Sequence, residues 1–134
     1  MAGLAQNIEV FSKALNLRTQ RHQILASNIA NADTPGYKAR DMDFAKAMQG
    51  ALAGRGDGAA LARTSSGHMD GSGGAAFGHL QYRKETQSAV DGNTVDMDVE
   101  RAQISENAVQ YQVLTRLIGD RLQSMRTAIS SNQG

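Results

Sequence analysis

Residues 104–129 read ISENAVQYQVLTRLIGDRLQSMRTAI, and the spacing of side chains within them decides the fold class. Eight positions follow one another at steps of 4, 3, 4, 3, 4, 3 and 4 residues: Ile104, Ala108, Tyr111, Thr115, Ile118, Leu122, Met125 and Ile129. These steps are the a and d positions of a heptad repeat, which places one stripe of a helix against another helix. The pattern predicts a C-terminal helix over 96–131.

A second heptad repeat occupies the start of the chain. It has the same steps, with polar residues at two of them: Leu4, Ile8, Phe11, Leu15, Arg18, His22, Leu25 and Ile29. It predicts an N-terminal helix over 3–31. Two heptad helices at opposite ends of a chain predict a mainly α fold, in which they form an antiparallel coiled-coil pair. Val113, Leu114 and Leu117 widen the C-terminal apolar face, so that helix is expected to contact more than one neighbour.

The intervening residues, 32–95, have a different composition. Thr34-Pro-Gly-Tyr37 is typical of a type II β-turn, in which Gly36 has a positive φ. Glycine is dense over 50–78, which predicts a partly disordered insert. In residues 79–84, apolar and polar side chains alternate well enough to predict one short strand. Residues 41–48 are expected to form a short helical turn. All 134 residues fit one domain.

Composition excludes several classes of protein. The 14 basic and 13 acidic residues give a net charge of +1, which does not favour wholesale nucleic-acid binding. There is no cysteine, so disulfides and thiolate metal sites are excluded. No run of about 18 apolar residues predicts a membrane span. The first nine residues lack the basic and apolar regions of a cleaved signal peptide.

Four patterns in the sequence have some features of a functional site. His68, Asp70 and His79 could approach a metal but lack a ligand spacing, and we expect solvated loop residues. Residues 91–102 resemble a calcium loop only faintly, and a Gly92-Asn93 turn before an acidic helix start fits better. Residues 71–76 match a G-x-G-x-x-A string without the strand and helix that a dinucleotide site needs. We therefore expect no catalytic, cofactor or metal site, and no enzyme.

The fourth pattern is a basic cluster near the end of the first helix: Arg18, Arg21, His22, Lys38 and Arg40. These side chains could form a solvated face or pair with Asp33, Asp41 and Asp43. They could also form a patch that faces a partner. The sequence leaves both interpretations open.

A resemblance adds to this interpretation. Residues 25–38, LASNIANADTPGYK, resemble the signature of the flagellar rod and hook proteins, S-x-N-I-A-N-x-x-T-P-G-Y. Residues 39–44 and 91–100, together with Asn107 and Tyr111, are similar to the proximal rod proteins of that family. The motif residues assigned to an assembly turn are Asn28, Asn31, Thr34, Pro35, Gly36 and Tyr37.

The resemblance implies a structural subunit of the proximal rod of the flagellar basal body, which transmits torque from the motor toward the hook and filament. Its implied partners are other copies of itself, other rod proteins, the adaptor and export-gate proteins at the rod base, and the surrounding membrane ring. Its implied location is the rod in the periplasmic space, reached through the flagellar type III apparatus without a cleaved signal. One alternative is a cytoplasmic coiled-coil adaptor or export chaperone, which would share the heptads without needing the motif. A second is a small metal- or nucleotide-binding enzyme that relies on residues 68–79 or 71–76.

Overall fold

The computed structural model describes residues 2–53, 80–83 and 90–131. Its elements are α1 (Ala2–Ala30), β1 (Arg40–Met42), α2 (Phe44–Leu52), β2 (Leu80–Tyr82) and α3 (Met97–Ser131). The fold is mainly α, as predicted, with long helices near the two ends of the chain. The glycine-rich stretch 50–78 lies largely outside the described residues.

The two long helices pack against each other in antiparallel directions. Near the end of α1, Asn28 contacts Glu100 at the start of α3, whereas Asn107 lies farther along α3 and contacts Arg18. At about 1.5 Å per residue, α3 is longer than α1 by about 9 Å, because it has 35 residues and α1 has 29. The predicted packing of the two helices is confirmed.

A two-stranded antiparallel sheet lies beside the helix pair. β1 and β2 align Arg40 with Tyr82 and Met42 with Leu80. The short helical turn expected over 41–48 begins later than predicted, because Asp43 is the N-cap of α2 and accepts a 3.1 Å hydrogen bond from the amide of Lys46. The residues before this cap are extended in β1.

The apolar core lies between α1, α2 and the sheet. It consists of buried side chains from three elements: Leu17, Ile24, Met42 and Ala47. Half-buried apolar side chains pack around them: Phe44, Met48, Ala51 and Leu80. α1 therefore buries two adjacent faces, one against this core and the other against α3.

Candidate functional site

The motif residues form a turn at the end of α1, which we call the motif turn (residues 31–37). The amide of Tyr37 donates to the carbonyl of Thr34 over 3.2 Å, which closes a β-turn with Pro35 and Gly36 at its centre. Gly36 has a φ of +72°, so the expected positive φ is confirmed. This backbone conformation favours glycine because an L side chain there is strained.

A segment from just before α3, residues 91–94, holds the motif turn through backbone hydrogen bonds. The amide of Gly36 donates to the carbonyl of Asp91 over 2.9 Å, and the amide of Thr94 donates to the carbonyl of Tyr37 over 3.0 Å. The amide of Ala39 donates to Oγ1 of Thr94 over 2.8 Å. The motif turn is thus joined to a segment about 55 residues away in the sequence.

Asn93 is the central side chain of this junction. Only 5% of it is exposed. Its Nδ2 lies within 2.8–3.0 Å of three main-chain carbonyls, those of Asn31, Ala32 and Thr34. Its Oδ1 accepts a 2.8 Å bond from the amide of Val95. One buried amide therefore ties the end of α1 to the start of α3.

Asn28 makes a second junction, between α1, β1 and α3. Its side chain is fully buried. Nδ2 donates to the carbonyl of Arg40 over 2.7 Å, and Oδ1 accepts from the Arg40 amide over 3.0 Å. Nδ2 also lies 3.2 Å from Oε2 of Glu100, and the hydroxyl of Tyr37 donates to Oδ1 over 3.4 Å. Asn28 thus fixes how the chain runs from the motif turn into the sheet.

Four charged side chains, Arg21, Asp41, Arg83 and Glu100, form what we call the charge network. Arg21 donates to both carboxylate oxygens of Asp41, over 3.0 and 3.2 Å. Arg83 donates to Asp41 over 3.0 Å and also contacts the fully buried Glu100. The network connects α1, β1 and α3 with the residue that follows β2.

The charge network stabilises the ionised forms of Asp41 and Arg21. Burial raises the pKa of Asp41, but hydrogen bonds from Arg21, the Met42 amide and Arg83 outweigh it, so the pKa lies below its usual value. The hydrogen bond to Asp41 raises the pKa of Arg21 despite partial burial. These shifts favour a charged pair that holds β1 against α1.

The basic cluster of the sequence is directed mainly into the protein itself. Arg21 pairs with Asp41, as one interpretation expected. The Arg18 guanidinium lies 3.6 Å from the centroid of the Phe44 ring, and burial lowers its pKa. Lys38 donates to the carbonyl of Gly92 over 3.0 Å. His22 is exposed.

The predicted heptad residues occupy different environments. On α1, Leu25 is buried, and four other apolar heptad residues are half-buried: Ile8, Phe11, Leu15 and Ile29. The side chain of Leu4 is not among those that the structure describes. On α3, three residues are half-buried: Ile104, Ile118 and Met125. Three others are exposed: Tyr111, Leu122 and Ile129. Beside Tyr111, the buried Asn107 contacts α1 by donating to the carbonyl of Arg18 over 2.9 Å.

The described residues also bear on the candidate chemical sites. Within them, no group of three His, Cys, Asp or Glu side chains could hold a metal ion. His68, His79 and residues 71–76 lie outside the described residues. In the calcium-like segment, Asp91 accepts from the Asn93 amide and Asp96 accepts from the amides of Asp98 and Val99, which are turn and helix-cap contacts. None of the described helices is long and apolar enough to cross a membrane.

Comparison with known proteins gives the family. The model of the family "Flagella basal body rod protein" matches residues 8–38. Three relatives, each named flagellar basal body rod protein FlgB, align over most of both chains. The relative from Salmonella typhimurium is 46% identical over 87% of this chain and 88% of its own length. The Escherichia coli K12 relative is 44% identical over 89% of each chain. The relative from Cereibacter sphaeroides is 42% identical over 96% of this chain and 98% of its own. The chain therefore belongs to the FlgB family of flagellar basal body rod proteins.

Proposed function

We propose that the chain is a structural subunit of the proximal rod, which transmits torque from the motor toward the hook and filament. The observation that carries the proposal is an uncovered apolar stripe on α3. Val109, Val113 and Leu117 follow at steps of four residues and are 60%, 54% and 38% exposed. Residues four apart share one helix face, so these side chains form a continuous surface that other subunits can cover.

A groove between α1 and α3 offers a second surface for neighbours. It has a volume of about 360 Å³, and its lining comes from both helices: Arg18, Thr19, His22, Asn107, Ala108, Tyr111 and Gln112. Four of these residues belong to the heptad stripes predicted from the sequence: Arg18, His22, Ala108 and Tyr111. A groove flanked by heptad positions of two helices has the shape that a third helix fills in a coiled coil. This geometry supports packing against helices of adjacent subunits.

The motif turn and its partners supply the stiffness that torque transmission requires. Asn28 and Asn93 are buried and hydrogen-bonded to backbone atoms on both sides of the junction between the helices. Buried amides with satisfied hydrogen bonds resist displacement because each lost bond exposes an unpaired polar group in a dry environment. A load applied to one helix would therefore pass to the other with little hinge motion.

The proposal includes partners and a location. The uncovered surfaces of α3 would contact other copies of the chain and other rod proteins. Further proposed neighbours are the adaptor and export-gate proteins at the rod base and the surrounding membrane ring. The rod lies in the periplasmic space, and the chain would reach it through the flagellar type III apparatus without a cleaved signal. The FlgB relatives are named as rod proteins, which supports a structural role over an enzymatic one.

The test is deletion of the gene, followed by restoration and isolation of basal bodies. We expect the deletion strain to be non-motile and to lack rods, and the restored chain to co-purify with basal bodies. Val113→Asp should abolish co-purification by placing a charge on the uncovered stripe. Ser105→Asp adds the same charge at an exposed polar position of α3 and is the matched control. Normal rods in the deletion strain, together with a cytoplasmic location of the restored chain, would favour the adaptor or chaperone instead.

A further inference from the structure

Glu100 is a fully buried carboxylate in the first turn of α3. Its contact on α1 is neutral, because it accepts a 3.2 Å hydrogen bond from the amide of Asn28. Among the described residues, the cation in ion-pair contact with it is Arg83, which follows β2. A carboxylate removed from water is costly unless it is paired and hydrogen-bonded. The buried Glu100 side chain therefore depends on Arg83 for a compensating charge.

Asp41 depends less on the same arginine. It accepts two hydrogen bonds from Arg21, over 3.0 and 3.2 Å, in addition to the one from Arg83. Loss of Arg83 would leave Asp41 with a cation in direct contact. It would leave Glu100 with the amide of Asn28 and a more distant attraction to Arg21. The effect of Arg83 on α3 thus acts through Glu100.

The apolar surface of the helix pair discriminates weakly between alignments. The heptad stripes repeat along both helices, so a shift of α3 by one turn still brings apolar positions together. The same shift, about 5.4 Å, would carry Glu100 away from Arg83 and Asn28. It would leave a buried charge without its partners, which is strongly unfavourable. A single buried polar position is known to select the register of coiled coils in this way.

We infer that Arg83 helps to set the register of α3 against α1 by acting through Glu100, in addition to the bond from Asn107 to the Arg18 carbonyl, and is therefore a specificity-determining residue of the fold. The consequence is a coupling between two parts of the chain. Arg83 reaches Glu100 from the end of β2, and β2 is held by its pairing with β1. Formation of the sheet therefore favours one register of the helices. This inference goes beyond the proposed rod function and does not require it.

The test measures the register directly in the purified full chain. The chain has no cysteine, so spin labels can be placed at Ser12→Cys on α1 and Ala102→Cys on α3, two exposed positions that lie about 20 Å apart along the helix axis. Their separation is read by double electron–electron resonance. With the charge network intact we expect one narrow distance. Arg83→Met should broaden the distribution or shift it by up to about 5 Å, the rise of one helical turn.

A second substitution separates the register effect from general damage. Glu100→Gln keeps a hydrogen-bonding side chain and removes the charge, so Arg83→Met combined with Glu100→Gln should regain the narrow distance. Arg101→Met, which removes an exposed arginine next to Glu100, should leave the distance unchanged. Three results would each overturn the inference. The first is a broad distance distribution with the charge network intact. The second is an unchanged distribution in Arg83→Met. The third is a distribution in the double variant that is no narrower than in Arg83→Met alone.

Discussion

Replacement of Asn93 by alanine should destabilise the junction between the two long helices. Nδ2 has two N–H donors shared among three carbonyls, and Oδ1 accepts from the Val95 amide. That is about three hydrogen bonds, each contributing roughly 0.5–1.5 kcal/mol net. The expected loss is about 2–4 kcal/mol in the free energy of unfolding. A domain of this size has about 5–15 kcal/mol in total, so the effect should be large.

The assay is urea unfolding of the purified chain followed by far-ultraviolet circular dichroism. Asn93→Asp should cost more than Asn93→Ala, because it places a carboxylate oxygen where a donor faces three carbonyls. Asn16→Ala, at an exposed position of α1, is the matched control and should change the free energy by less than about 0.5 kcal/mol. A loss below about 1 kcal/mol for Asn93→Ala would refute the assigned role of this side chain.

Two further predictions concern backbone conformation and pH. Gly36 and Gly119 both have open space where a Cβ would lie, but Gly36 has a φ of +72° and Gly119 lies within α3. Gly36→Ala should therefore lower the free energy of unfolding by about 1–2 kcal/mol because of left-handed backbone strain. Gly119→Ala should raise it by about 0.5–1 kcal/mol. If urea unfolding showed that both substitutions change the free energy in the same direction, this reasoning would be contradicted. Because the pKa of Asp41 is lowered in the folded chain, its contribution is fully present above the unfolded value of about 3.9 and declines as pH falls through the lower folded value. Between pH 5 and pH 3, the free energy of unfolding of the Asp41→Asn variant should therefore decrease less than that of the unchanged chain. Equal decreases would contradict the stabilising role assigned to the ionised Asp41.

The local features of the fold could be predicted because their causes lie within a few residues. The heptad spacing of apolar residues indicated both long helices. The order Thr-Pro-Gly-Tyr indicated a turn with a positive φ at Gly36, since proline fixes φ and glycine permits a positive φ. The Gly92-Asn93 turn was indicated for the same reason, and Gly92 has a φ of +74°. None of these conclusions required knowledge of a distant partner.

The buried polar contacts could not be predicted, because their partners are far apart in the sequence. Asn93 bonds to carbonyls about 60 residues away, and Asn107 bonds to one 89 residues away. From the sequence, Glu100 and Arg83 are expected to be surface charges, because charged residues are almost never fully buried unless they are paired and the sequence does not reveal the pair. A signal was present for Asn93, which follows a glycine in a turn, but it did not identify the carbonyls that its side chain would meet.

The core on α1 could not be assigned from the heptad alone for a related reason. Leu17 and Ile24 lie next to the predicted stripe and are buried by the sheet and α2 rather than by α3. A heptad identifies one stripe of a helix, whereas α1 is covered on two adjacent faces. The second face becomes visible only when the elements between the long helices are placed beside it.

The distribution of contacts along the helix pair explains how one chain can be both well defined and able to assemble. Hydrogen bonds of buried amides and carboxylates demand one partner at one distance, so they suit contacts that every copy must make within itself. They are concentrated where the end of α1 meets the start of α3. Apolar contacts are non-directional and tolerate small changes of position. Apolar side chains dominate the uncovered stripe of α3, which the proposed neighbouring subunits would cover. The chain thus specifies its own fold at one end and leaves the other surface adaptable.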